Sequence, residues 1–251
     1  MQIKTMTFNI HHGRGIDGKL NLRRIAKVIK ESEADLISLN EVDRYFSKRS
    51  GYIDQVTWLA EYLKMNPAFG ATLTIKSKGN AMYRQYGNAL LSRYPIVFEK
   101  NHPFAVNRRH FEGRALLEIG IQIHDQRVKV YNTHLSLNPL SRKSQIDFII
   151  NKILNEDQPA MILGDFNMKP GSRTWKKLTE HLKDVCHAVG NIPYYTFPSF
   201  RPALQLDYIF VSRHIHITSA EVIKTFPAVS DHLPLQAALK LNESHTGKLL
   251  S

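Results

Sequence analysis

Residues 88–134 read NALLSRYPIVFEKNHPFAVNRRHFEGRALLEIGIQIHDQRVKVYNTH. Runs of strand length recur through this stretch, at Asn88–Leu91, Ile96–Phe104, Ala115–Ile123 and Val128–Asn132, with turn residues between them and no helical period. Parallel neighbours in a sheet need a crossover of about a dozen residues or more, usually a helix. Four strands in direct succession therefore exclude a purely parallel, doubly wound sheet and predict antiparallel pairing here.

On either side the pattern alternates. Upstream, Ile3–Ile10 and Asp35–Asn40 read as strands around an amphipathic helix at Leu22–Ile29 with Asn21 as its N-cap, and Asp54–Leu63 reads as a second helix. Downstream, helices at Ser141–Leu154 and Thr174–Leu182 flank a short apolar strand, Ala160–Leu163. Three further strands are expected at Asp207–Val211, Ile215–Ile223 and Leu235–Leu241. The whole predicts an α/β fold of mixed sheets with helices outside. No repeat, low-complexity tract or linker divides the chain, so residues 1–241 are read as one domain and 242–251, NESHTGKLLS, as a polar tail.

Of the 251 residues, 43% are hydrophobic and 22% charged, enough apolar side chain for a full core, which excludes a mostly disordered chain. No apolar run reaches the roughly 18–20 residues of a membrane-spanning helix. The opening MQIKTMTFNI has neither the basic nor the apolar region of a secretory signal, so a cytoplasmic location is expected. The one cysteine, Cys186, excludes an internal disulfide and fits a reducing compartment. Lys and Arg total 34 against 22 Asp and Glu, a net charge of +12, which favours an anionic partner. The excess is scattered, densest at Arg23-Arg24, Arg108-Arg109 and Lys176-Lys177.

One pattern repeats at strand ends. TFNI carries Asn9, LISLNEVDR carries Glu41, VYNTHL carries Asn132 and His134, MILGDFN carries Asp165 and Asn167, LDYIF begins at Asp207, and VSDHLP carries Asp231 and His232. Strand ends are where α/β folds present side chains into a crevice. Singly, each has a structural explanation: Asn9 suits a turn, and Glu41 with Asp43 and Arg44 suits a solvated strand end. Phe166 between Asp165 and Asn167 is unusual for a polar turn. Asp231 beside His232 predicts a carboxylate that orients an imidazole, and His134 supplies a second acid–base group. Asn9, Glu41, Asp165, Asn167 and Asp231 are all oxygen donors, which suit Mg²⁺, Mn²⁺ or Ca²⁺ rather than zinc. Magnesium binds through one or two carboxylates plus phosphate oxygens, so the set points to phosphate-ester chemistry. A competing motif, Gly13-Arg14-Gly15-Ile16-Asp17-Gly18, matches a dinucleotide-binding fingerprint. In that fingerprint the last glycine opens the helix, whereas here Lys19, Leu20 and Asn21 intervene, so the segment reads as a loop that brings Arg14 toward an anionic substrate.

Seven motifs in order, TFNIHHG, NEVDR, YGNALLSRYPI, NTHL, GDFN, QLDYIF and SDHLP, make the sequence resemble the endonuclease/exonuclease/phosphatase superfamily over nearly its whole length, and a bacterial branch of it most. The resemblance implies a four-layer α/β sandwich: two mixed β-sheets face to face with helices on the outer faces. It implies a Mg²⁺-dependent phosphodiesterase, with Mn²⁺ as substitute. The resemblance also implies a set of expected roles: Glu41, supported by Asn9, binds the metal. Asp165 and Asn167, with Asp231 nearby, touch the scissile phosphate, the attacking water or a second metal. His232, oriented by Asp231, takes a proton or binds phosphate, His134 protonates the leaving oxygen, and Asp207 orients a histidine. Either Asp165 or His232 activates water. Asn40 stands where the superfamily usually has glutamine. Asn88 and Arg114 are the expected phosphate contacts, with Arg14, Arg84, Arg93, Arg108 and Arg109 as further lining. Nucleic acid is the favoured substrate of an expected monomer. The alternatives are a phospholipid, sphingomyelin or inositol-phosphate hydrolase, with Tyr194, Tyr195, Phe197 and Phe200 as an apolar rim, or a non-catalytic binding module on the same fold.

Overall fold

The computed structural model describes residues 1–76, 83–104, 113–154, 158–190 and 192–241. The 242–251 segment, Arg108 and Arg109 lie outside the described residues. Twelve strands and five α-helices are described: β1 (Gln2–Asn9), α1 (Leu22–Ser32), β2 (Leu36–Arg44), α2 (Gln55–Leu63), β3 (Asn66–Lys76), β4 (Tyr83–Ser92), β5 (Ile96–Pro103), β6 (Ala115–Ile123), β7 (Gln126–His134), α3 (Pro139–Ile153), β8 (Ala160–Asp165), α4 (Arg173–Thr179), β9 (Lys183–Asp184), α5 (Val185–Val189), β10 (Asp207–Val211), β11 (Ile215–Val222) and β12 (Leu235–Leu241). They form two six-stranded mixed sheets, ordered β11-β12-β1-β2-β4-β3 and β5-β6-β7-β8-β10-β9. In each, one parallel pair (β1 with β2, β7 with β8) sits among antiparallel neighbours.

Three apolar layers hold the sandwich together. The central one lies between the sheets and includes Ile3, Leu36, Leu90, Val130, Leu163 and Ile209. The outer two pack helices on the far faces: Ile25, Val28, Ile29 and Leu59 against Met6, Phe8, Ile37 and Leu39, and Ile146, Ile149 and Ile150 against Tyr131, Ile162 and Phe210. This is the four-layer α/β sandwich expected from the sequence. Each such buried side chain contributes roughly 1.5–3 kcal/mol before entropy is counted. Local chemistry sets the helix ends. Asn21 Oδ1 accepts from Arg24 N to start α1, and Asn138 Oδ1 accepts from the Leu140 and Ser141 amides to start α3, with Pro139 in the first turn.

Several boundaries differ from the sequence expectation. β3 and the first half of β4 escaped it, because these residues are mostly half-exposed or exposed and show no run of apolar side chains at a period of two. β2 does not stop before Glu41 but runs on to Arg44 through an irregularity between Leu39 and Val42, where Glu41 takes φ 58°. β9 and α5 are too short to show a period.

The turn out of β8 is fixed by backbone crowding. Gly164 has φ 145°, and a Cβ there would sit 1.8 Å from the Thr133 carbonyl oxygen. No rotamer change relieves a backbone clash, so Gly164→Ala is expected to destabilise the fold by on the order of 3 kcal/mol. An unchanged midpoint in urea denaturation would contradict this.

Candidate active site

Strand alternation places the chemistry. The period of two that puts Ile3, Leu36, Leu90, Val130, Leu163 and Ile209 between the sheets puts Asn9, Asn40, Asn88, Asn132, His134, Asp165 and Asp207 along the same gap. Register brings them to one end, with Asn9 opposite Asn40, His134 opposite Asp165, and Asp165 opposite Asp207.

The floor of this end is a buried amide network. Asn40 Nδ2 donates to Asn88 Oδ1 and Asn132 Oδ1, each at 2.9 Å, and to the Thr133 carbonyl at 3.1 Å. Asn40 Oδ1 accepts from the Asp165 amide at 3.0 Å. Asn88 Nδ2 donates to Ala115 O, and Asn132 Nδ2 to Leu39 O and Ala89 O. Asn40 thus spans both sheets and holds the backbone of Asp165. Asn88, 1% exposed, lies within this floor, its amide engaged on both sides.

Above the floor, polar groups converge on Asp165. Its Oδ2 lies 3.2 Å from Asn9 Nδ2, 3.4 Å from His134 Nε2 and 3.8 Å from His232 Nε2. Its Oδ1 accepts from the Asn167 amide at 3.0 Å, and Asn167 Nδ2 donates to Leu135 O. Asn9 Nδ2 also donates to Glu41 Oε1 at 3.2 Å, so one amide bridges the two carboxylates while Asn9 Oδ1 accepts from the His11 amide. His232 Nδ1 lies 2.8 Å from Asp207 Oδ2. This corrects the reading of Asp231 as the partner of His232. Adjacency in sequence aims the two side chains apart, and the orienting carboxylate comes from β10. Asp231 Oδ1 instead accepts from Ser230 Oγ and stands 4.0 Å from His11 Nδ1.

Burial and charge set the protonation states. Burial works against a charged His232, but Asp207, paired with its ring, outweighs it, and with Asp165 and Asp231 raises its pKa to about 10. Burial pushes the Asp165 carboxyl above the usual carboxylate range, and the neighbouring Asp207 charge adds to this. His134, stripped of water and facing the charges of Arg114 and His232, is held well below an ordinary histidine. His12 is driven down to about 3 by burial and then by Arg49, His11 and Arg14.

The donor chemistry fits a hard divalent cation. Glu41 and Asp231 are half-exposed carboxylates at the mouth, and Asp165 lies behind them. Asp165, Asp207 and His232 also offer atoms within 4.8 Å of one another, but Asp207 and His232 are already paired to each other.

Other expected residues are placed as follows. Arg114 is buried, its charge acting on His134. Arg14 Nε donates to Arg49 O, and Arg84 Nε to Phe46 O, both near the Glu41 end of β2. Arg93 sits at the opposite end, where its amide donates to Asp35 O, so it does not line the site. Phe197 packs its ring 4.9 Å from that of His232, Tyr195 and Phe200 are exposed, and Tyr194 is buried. Tyr194 and Tyr195 help line a separate concavity of about 520 Å³ with Trp175, Cys186, His187 and Gln205, to which none of the residues around Asp165 contributes. The sequence reading missed the joint role of Asn40, Asn88 and Asn132, whose signal was three asparagines at inward strand positions. It also missed His12, 3.4 Å from Glu41 Oε2.

Residues 6–232 match the profile of the Endonuclease/Exonuclease/phosphatase family. The chain is 26% identical over 257 residues to the "Uncharacterized protein YbhP" of Escherichia coli (strain K12), covering 95% of this chain and 96% of that one. A solved endonuclease/exonuclease/phosphatase from Beutenbergia cavernae superposes with a TM-score of 0.81 at 25% identity, over 96% of this chain and 72% of its own. A mannosyl-6-phosphatase from Bacteroides thetaiotaomicron shares the fold at 16% identity, with a TM-score of 0.76 over 95% of this chain and 100% of its own.

The Asp207–His232 pair can be tested without any substrate. In the metal-free protein, the His232 ring carbons should titrate by NMR near pH 10. Asp207→Asn removes the charge that sustains the imidazolium and leaves burial opposing it, so the titration should fall to or below the ordinary histidine value of about 6.5. An unmoved His232 titration would show that Asp207 does not set it.

Proposed function

This chain belongs to the endonuclease/exonuclease/phosphatase family, whose members generally hydrolyse phosphate esters, and from that premise we propose that it is a divalent-metal-dependent phosphodiesterase acting on nucleic acid. The observation that carries the reading is the convergence of Asn9, His134 and His232 within 3.2–3.8 Å of one buried carboxylate oxygen, Asp165 Oδ2.

Each group has a task its surroundings suit. Asp165, its basicity raised by burial, takes the proton of the attacking water. His232 is a poor base while Asp207 keeps it charged. It serves instead as a fixed cation against the phosphoryl oxygens, where charge grows in the transition state. His134 donates to the leaving oxygen, an anionic phosphate beside it offsetting the cost of its proton. Asn9 keeps Glu41 and Asp165 apart and aligned, and Asn167 closes the turn beside them. Glu41 and Asp231 would hold the metal, which when bound neutralises a nonbridging oxygen. Arg114 supplies buried positive charge behind His134.

The net charge of +12 supports nucleic acid as the substrate. A lipid headgroup is the second reading, favoured by one observation. Leu137, just past β7, Leu140, in the first turn of α3, and Phe200, in the segment that leads into β10, are 67%, 80% and 67% exposed. Exposed apolar tips beside cations suit a bilayer interface.

Two measurements test these readings. Hydrolysis of bis-p-nitrophenyl phosphate should require Mg²⁺ or Mn²⁺, stop in EDTA, and fall about 10²–10³-fold in His232→Ala. Full turnover in EDTA, or in His232→Ala, would overturn the metal or the histidine assignment respectively. For substrate class, binding to duplex DNA should weaken with salt at a log–log slope of about −0.9 per phosphate contacted. Cleavage of anionic liposome lipid that is lost in Leu140→Ser and Phe200→Ser, with no DNA cleavage, would replace the nuclease reading by the lipid one.

A further inference from the structure

The chain leaves β1 through a tight turn, His11-His12-Gly13, in which both histidines adopt left-handed backbone angles, φ 44° and 47°. Non-glycine residues rarely take this conformation unless their surroundings enforce it. Here they do. The His11 amide donates to Asn9 Oδ1 at 3.1 Å, and the Gly13 amide to Ile10 O at 2.8 Å. The fully buried Gln55 completes the hold: its Nε2 donates to His12 O at 2.7 Å, and its Oε1 accepts from the Asp43 amide at 3.0 Å. Asp43 lies two residues past Glu41 on β2. One buried amide therefore ties the turn that carries His12 to the strand that carries Glu41.

The tie sets two donor atoms side by side. His12 Nδ1 lies 3.4 Å from Glu41 Oε2. That nitrogen is shielded from solvent and has no hydrogen-bond partner, Glu41 included. Two atoms this close that are not donor and acceptor to each other suit a shared third atom. Adjacent ligands of a cation bound at about 2.1 Å are spaced about 3.0 Å apart. His11 repeats the relation. Its ring lies 4.4 Å from that of His12, and its Nδ1, also buried and unpartnered, stands 4.0 Å from Asp231 Oδ1. Both carboxylates assigned to the metal thus have an imidazole nitrogen beside them.

We infer that His12 contributes a nitrogen ligand to the cation site at Glu41, so that the site prefers a first-row transition ion such as Mn²⁺ over Mg²⁺. The inference rests on the metal-dependent reading above and goes beyond it. An oxygen-only set is suited to magnesium, whereas imidazole adds affinity for softer ions and little for magnesium.

The test uses the full, metal-free chain and reads binding rather than turnover. Mn²⁺ and Mg²⁺ are titrated calorimetrically into wild type, His12→Asp, His12→Gln and Glu41→Gln, with folding checked by circular dichroism. Electron spin-echo envelope modulation is recorded on the Mn²⁺-loaded samples. Wild type should bind Mn²⁺ at least about tenfold more tightly than Mg²⁺ and show modulation from a directly bound ¹⁴N. His12→Asp, which keeps a ligand but makes it oxygen, should lose that modulation and narrow the Mn²⁺ preference about tenfold or more. His12→Gln should do the same if the aspartate variant fails to fold. Persistence of the ¹⁴N signal in either folded variant would overturn the inference. So would equal weakening of both ions, which marks His12 as only a support for Glu41. Glu41→Gln separates the two levels. If it leaves both ions bound as before, the metal site itself is misplaced and the reading on which the inference rests falls with it.

Discussion

The Asn40 side chain is the interaction on which the rest of this site depends. Between the sheets the gap is apolar along most of its length, and apolar contact has no direction, so it leaves the two sheets free to slide by small amounts. At the site end the gap turns polar, and one amide joins β2 to β4, β7 and β8 by hydrogen bonds with fixed geometry. Asn40, Asn88 and Asn132 are each 1% exposed or less, so an unmade bond among them would be costly. A network satisfied in this way defines one relative position of the sheets. Because Asn40 also binds the Asp165 amide, that one position is also the position of the central carboxylate.

On this frame the charges are graded from inside to outside. Inside is the Asp207–His232 pair, where a buried carboxylate sustains an imidazolium against desolvation. Beside it is Asp165, equally shielded and raised by that burial. At the mouth are Glu41 and Asp231, still reached by solvent. Solvent therefore reaches the carboxylates of Glu41 and Asp231, while Asp165, Asp207 and His232 are shielded from it. His134, held neutral by burial and by the charges of Arg114 and His232, stays uncharged until an anion arrives beside it. Strand register places Asp165 opposite Asp207, and the turn before β12 brings in His232.

Much of this was legible in sequence because alternation is a local signal. The inward positions of β7, β8 and β10 run by a period of two from apolar residues to His134, Asp165 and Asp207, while in β1 and β2 the buried Thr5, Thr7 and Ser38 intervene before Asn9 and Asn40. What was not legible depends on contacts between distant segments. Asp231 adjoins His232 in the chain, yet the partner is Asp207, twenty-five positions away, brought in by β10. Local sequence favoured the neighbour, and only the resemblance assigned Asp207 to a histidine. Asn40 read as a departure from the usual glutamine, because a single position does not reveal three acceptors converging on it. β3 was missed because its outward residues are exposed and carry little hydrophobic signal. His11 and His12 lie in a turn with no period at all, and their proximity to Asp231 and Glu41 exists only once Gln55 has tied that turn down.

The excess positive charge is also partly used in building this mouth. Arg49 makes two hydrogen bonds, at 2.9 and 2.7 Å, to the fully buried carboxylate of Asp43, and its guanidinium lies over the rings of Phe46 and Tyr86 at 4.6 and 5.2 Å. Without that partner Asp43 would be a buried, uncompensated charge just past Glu41, so Arg49 is first a structural residue. Its carbonyl then receives Arg14, and the carbonyl of Phe46 receives Arg84. The three arginines are thereby fixed around one loop instead of moving freely in solvent. Fixed cations near a cleft draw in an anion over a distance without binding it at any one point. On the proposed reading, selection among anions is left to Asp165, His134 and His232 and to the segments that bear Leu137, Leu140 and Phe200.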